Sequence, residues 1–274
     1  MNFSMGLWAT IPAIDEARAE ILAALIESDV WGKPLKFFSS NARPGEKLVR
    51  RPGALFKRDR AFLRDVLRDP RVGSVHMSAA PLTRGEVDEA HISIDVNLES
   101  WECALTMDGR RWLPNSRTQR EAWVEAIVTA FDRLGSTQAI ILVHEKYSVF
   151  SETTLTGYGS SSGGIHHPWP DEFDRVAHLR GRLGVDQIRF PRWGTLLSPA
   201  HLERMGGVAR IVEVVQPAVV RELSGGTYFQ LTDRVATSTS EESLDRQRRF
   251  IELAAPLLPP PRTLSTAHGA AAST

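Results

Sequence analysis

Serines, histidines and carboxylates crowd into residues 158–174, YGSSSGGIHHPWPDEFD. Two chemistries draw on such residues. The run Gly159-Ser160-Ser161-Ser162-Gly163 has the Gly-x-Ser-x-Gly spacing of a nucleophile elbow, with Ser161 as the nucleophile. An elbow also needs a strand before it and a helix directly after it, and no helix signal begins at Gly163. The second chemistry is metal binding by His166 and His167 with Asp171, Glu172 and Asp174. Neighbouring loop histidines can point apart, and the acids fall on the next helix, so the spacing does not force convergence on one ion. The expectation is no catalytic residue and no metal. The acids then cap a helix, the histidine pair is exposed, and Trp169 is a candidate partner contact, since tryptophan is enriched among binding hot spots.

Other site patterns are missing. There is no GxxxxGK[ST] and no GxGxxG between a strand and a helix, so no nucleotide cofactor is expected. The single cysteine, Cys103, excludes an internal disulfide framework and a cysteine-rich zinc site. Lys+Arg and Asp+Glu stand at 33 each, a balance that disfavours a general nucleic-acid or anionic-membrane binder. The charges are nevertheless uneven. Residues 43–71 are rich in arginine, from Arg43 through Arg50, Arg51, Arg64 and Arg68 to Arg71. That stretch reads either as a phosphate-binding patch or as a solvated face paired to acids elsewhere. No apolar run approaches the roughly 18–20 residues of a membrane-spanning helix. The opening residues lack the basic-then-apolar pattern of a signal peptide. A cytoplasmic protein follows as the expectation.

The elements that must position these residues are legible in outline. Strands are predicted over 2–9, 35–39, 73–80, 91–98, 102–107 and 138–144, with Asp108-Gly109 as a turn. His91 to Leu98 alternates apolar and polar residues, the mark of a half-buried, antiparallel strand. Helices are predicted over 15–28, 57–68, 116–134 and 171–183. The first is expected to bury Ala17, Ile21, Ala24 and Leu25. The third is expected to bury Ala122, Trp123, Ala126, Ile127, Ala130, Phe131 and Leu134. Residues 151–170 form a long surface loop, a length that usually means function or disorder.

From Asp186 onward the punctuation is densest. Gln187 to Trp193 reads as a strand. Ser198-Pro199 opens a helix, Gly206-Gly207 stops it, and a second helix runs from Gly207 to Val215. Gly225-Gly226 joins two strands in a hairpin. A last helix spans 240–253 and ends at the prolines from Pro256. Mixed runs of strands and helices, rather than strict alternation, favour an α+β fold with a mainly antiparallel sheet packed with helices. A single domain over 1–261 and a disordered tail over 262–274 complete the expectation.

The segments RFPRWGTLLSPAHLERMGG, GGTYFQLTD and LAAPLLPP resemble the C-terminal part of bacterial immunity proteins. The related groups are immunity protein 52 and the type VI secretion immunity family formerly known only as a domain of unknown function. The matching features are Trp193, Gly206, Gly207, Gly225, Gly226 and the final helix with Pro256. They cover about the last third; the remainder agrees in length and element order. The resemblance implies an α+β protein that binds and neutralises a cognate toxin, with a nuclease as the implied toxin class. An inhibitor of a nuclease offers acidic groups to a basic cleft. Here those groups are Asp171, Glu172 and Asp174, beside His166, His167 and Trp169.

Overall fold

In a computed structural model of the chain, the residues described are 3–27, 37–42, 60–69, 71–78, 91–97, 102–109, 117–145, 187–188 and 191–258. Among these residues nine strands are found: β1 Phe3–Pro12, β2 Phe37–Ala42, β3 Val72–Ser78, β4 His91–Asn97, β5 Glu102–Gly109, β6 Gln138–Glu145, β7 Gly194–Leu197, β8 Val219–Leu223 and β9 Gly226–Gln230. Six α-helices accompany them: α1 Glu16–Glu27, α2 Arg60–Arg68, α3 Arg117–Leu134, α4 Pro199–Arg204, α5 Gly207–Val215 and α6 Glu241–Ala254.

The strands form one sheet in the order β2-β3-β4-β5-β1-β6-β7-β9-β8. Every pairing is antiparallel. The α+β expectation therefore holds. The register aligns one residue from each strand in a single row: Ser40, Val75, Ile94, Leu105, Ala9, Ala139, Leu196, Tyr228 and Arg221. Because strand side chains alternate, this row marks one face. On it Val75, Ala9, Ala139, Leu196 and Tyr228 are buried. Helix α3 carries the chain from β5 over β1 to β6, and α1 packs against both α3 and α2.

Helix α6 lies on the opposite face. Phe229, next to Tyr228 and so pointing the other way, meets Phe250 of α6 with ring centroids 5.7 Å apart and planes at 82°. That edge-to-face arrangement suits the aromatic quadrupole. Two arginines of α6 tie off neighbouring backbone. Arg246 donates to Leu231 O at 2.7 Å, and Arg249 donates to Val214 O at 2.9 Å, near the C-terminal end of α5. Carbonyls at a helix end have no partner within the helix, and a guanidinium there also meets the negative end of the dipole.

Local signals fixed the start of α4 and α6 and the end of α4. Ser198 accepts from His201 N at 3.4 Å as the N-cap of α4, with Pro199 in its first turn. Ser240 does the same for α6, accepting from Ser243 N at 3.2 Å. Gly206 and Gly207 both sit at φ +87°, which ends α4 as expected.

Four expectations are corrected. Of the strand expected over Gln187–Trp193, the described residues 187–188 and 191–193 are not in a strand; β7 begins at Gly194. Pro191 has no N–H to offer a ladder, and the Arg192 N–H is taken by Thr195 Oγ1 at 2.9 Å. Asp108-Gly109 is not a turn, for both residues continue β5 opposite β4 or β1. The buried residues of α1 are Ala19, Leu22, Ala23, Leu25 and Ile26, while Ala17 is exposed. Small apolar residues occur around much of α1, so spacing alone left its rotation open. In α3, likewise, Val124 and Val128 are buried and Ala122 is exposed.

Candidate functional site

His166, His167, Trp169, Asp171, Glu172 and Asp174, together with Ser161, lie outside the described residues, as do the loop 151–170 and the tail 262–274. Among the described residues no three His, Cys, Asp or Glu side chains group as a metal site would require. No described helix is long and apolar enough to cross a membrane. In the arginine-rich stretch, Arg64 pairs with Glu20 at 3.1 Å, Arg68 with Glu16 at 3.8 Å and Arg71 with Asp69 at 2.7 Å. Those three cations are thus paired to acids, two of them across the α1–α2 contact.

The signature residues have structural roles. Trp193 is 3% exposed and donates its indole N–H to Thr232 Oγ1 at 2.8 Å. Its carbonyl accepts from Leu231 N at 2.9 Å. Gly225 lies so close to the turn after α3 that a Cβ there would fall 1.9 Å from Ser136 O. A Cβ on Gly226 would fall 2.0 Å from Leu197 O. No side chain fits either place, which accounts for the glycine pair. Ser224 secures the same tip, its N–H donating to Asp132 Oδ1 and its hydroxyl to Asp132 O, both at 2.6 Å.

These anchors hold the β8–β9 hairpin under α3, and a groove of about 180 Å³ opens between them. From α3 come Glu121, Val124, Glu125 and Val128, spaced so that they share one side of the helix. The hairpin contributes Val219, Arg221, Tyr228 and Gln230; Trp193, Asp233 and Val235 complete the lining. Tyr228 reaches this place because residue 194 is glycine: a Cβ at Gly194 would sit 2.6 Å from the Tyr228 hydroxyl.

The polar groups of the floor form a chain. Tyr228 donates to Gln230 Oε1 at 3.1 Å, and Gln230 Nε2 donates to Thr232 O at 2.8 Å. Burial pushes the Tyr228 phenol well above its ordinary value; the nearby Arg221 charge opposes this shift and Glu125 adds to it. The rim is ionic. Arg221 bridges to Glu125 at 2.7 Å across the groove, and Arg117 bonds Glu121 at 2.7 Å along α3. The hydrogen bond that Arg117 donates to Glu121, followed by the Glu121 charge, raises the Arg117 guanidinium above its usual value, and Asp233 adds a smaller push.

The groove was not among the sequence-based candidates. Glu121 and Glu125 on a helix face look like ordinary solvated positions, and their hairpin counterparts lie some hundred residues further on. Ser198 Oγ also approaches His201 Nδ1 at 2.9 Å, the contact a nucleophilic serine would need. That oxygen already caps α4, and the imidazole is buried, so the pair reads as part of the helix start.

No family model matches the sequence, and a search of curated proteins finds no match. Among solved structures the fold is similar to that of the Pseudomonas aeruginosa T6SS protein PA0821. The superposition has a TM-score of 0.59 and 11% sequence identity, covering 92% of this chain and 73% of that one. At this identity the likeness is one of fold: the chain has the architecture of a protein described as belonging to a type VI secretion system.

Proposed function

We propose that the chain is a type VI secretion immunity protein, one that binds a cognate toxin and blocks its active site without turning over a substrate. The observation that carries this reading is the fold likeness to a T6SS protein over 92% of the chain. The C-terminal signature adds to it, because Trp193, Gly225 and Gly226 are the residues that seat the hairpin on the rest of the sheet. A preformed antiparallel sheet braced by helices suits a rigid inhibitor, which loses little freedom on binding. The toxin class proposed is a nuclease, and the proposed acidic contact is Asp171, Glu172 and Asp174 beside His166, His167 and Trp169.

The test is co-expression with each candidate toxin from the neighbouring genes, scored by survival and by isolation of a one-to-one complex. Protection together with a stable complex is expected. Charge reversal at Asp171 and Glu172, with folding intact, is expected to abolish protection. A protein that protects against none of them would sink the reading and return attention to hydrolysis at Ser161.

A further inference from the structure

We infer that the groove between α3 and the β8–β9 hairpin is a socket for one basic side chain, arginine in preference to lysine, presented by the protein partner. This rests on the binding-protein reading above and assigns a second contact, away from the 166–174 segment. Size comes first. At about 180 Å³ the groove is smaller than the roughly 300–1,000 Å³ of ordinary small-molecule sites and suits a single side chain.

Hydrogen-bonding capacity comes next. Three donors of the floor are already committed: the Tyr228 hydroxyl to Gln230, one Gln230 amide N–H to Thr232 O and the Trp193 indole to Thr232. Beside the second Gln230 amide N–H and the remaining N–H groups of Arg221, the lining offers mainly acceptors, namely the carboxylates of Glu121, Glu125 and Asp233 and the remaining lone pairs of Gln230 Oε1 and the Tyr228 oxygen. A group made only of donors complements that wall, and guanidinium is the richest such group.

The three carboxylates are also within reach of an incoming cation, lining the groove beside the guanidinium of Arg221. Their present partners are surface arginines: Arg117 for Glu121, Arg221 for Glu125 and Arg234 for Asp233 at 3.3 Å. The Glu121, Glu125 and Asp233 side chains are 43%, 61% and 67% exposed. Exposed pairs of this kind contribute little and exchange readily. An incoming guanidinium can take over these carboxylates at the mouth of a groove floored by Trp193 and Tyr228.

The probe is Nα-acetyl-arginine amide, titrated into the full-length protein with the Trp193 indole ¹H–¹⁵N signal as readout. Its control is Nα-acetyl-citrulline amide, which keeps the shape and loses the charge. Saturable shifts with the arginine compound are expected, at least about fivefold weaker with citrulline, as loss of a charge-assisted hydrogen bond requires. The triple variant Glu121→Gln, Glu125→Gln and Asp233→Asn changes only exposed groups and should remove the arginine response while keeping the thermal midpoint. Equal response to both compounds, no response, or full response in the triple variant would each overturn the socket. In a toxin complex, the same variant should weaken binding about tenfold, in line with a rim of charged contacts. A toxin complex indifferent to the variant would overturn the socket and leave the immunity reading standing. Failure to find any toxin would remove the immunity reading, while the titration still decides the groove.

Discussion

The β8–β9 hairpin carries a helix on each face, and the two contacts are built differently. Toward α6 the meeting is aromatic and closed: Phe229 and Phe250 are both fully buried and touch edge to face. Toward α3 it is partly polar and stands open, with Arg221 and Glu125 bridging a gap above Tyr228 and Trp193. The same two strands thus stabilise the molecule through one face and offer recognition chemistry through the other. Burial of large rings on the α6 side provides the rigidity that lets the α3 side stay unfilled.

The strongest way to break this contrast is Phe250→Ala. It leaves a cavity at the closed contact and is expected to cost about 3–5 kcal/mol, read from urea unfolding. Loss below about 1 kcal/mol would mean the α6 contact is not what braces the hairpin. Next is Gly194→Ala, whose methyl would meet the Tyr228 hydroxyl at 2.6 Å and Ile141 Cβ at 3.0 Å. Overpacking of this kind costs about 1–3 kcal/mol, and it should push the Tyr228 ring toward the groove and weaken the arginine response.

The third effect concerns alkaline pH. Tyr228 is held protonated in the folded chain, above its unfolded value. Its neutral form therefore stabilises the fold fully below about pH 10, and that stability is lost as pH rises beyond, by at most about 1.4 kcal/mol per pH unit. Tyr228→Phe should flatten that alkaline loss in unfolding curves taken from pH 9 to 11; an unchanged slope would contradict it. The smallest effect is at the open side. Glu125→Gln removes a surface pair and should change stability by about 0–1 kcal/mol, yet it should already reduce binding of the arginine probe. A variant that destabilises strongly would show that the ion pair, rather than the hairpin tip, holds α3 in place.

How much of this could be read beforehand depended on range. Ser198, Pro199, Gly206-Gly207 and Ser240 act within one helical turn, the first two and the last starting a helix and the glycine pair ending one, as expected. Gly225-Gly226 marked the hairpin, though what demands glycine there is the backbone of Ser136 and Leu197, remote in sequence. The phase of α1 escaped because its small residues gave no contrast between sides. The strand boundary at Gly194 escaped because a side chain, Thr195, captured the Arg192 amide that a strand would have used. Nothing in the alternation of β1 reveals that it sits between β5 and β6, since register and neighbour order are decided by partners far along the chain. The groove was hidden for the same reason: its two walls come from α3 and from a hairpin that only tertiary packing brings together.

The place of β1 has a kinetic consequence. It is the one strand shared by two otherwise separate four-stranded groups, β2 to β5 on one side and β6 to β9 on the other. Its partners, β5 and β6, follow about a hundred residues later in the chain. During synthesis residues 3–12 must therefore wait unpaired until residue 109 has emerged, and with one edge bare until residue 145 has. Closing such long loops is entropically slow, so β1 is satisfied long after it is made. Until it docks, the half-built molecule shows a bare edge on each group, the condition in which β proteins pair with the wrong neighbour.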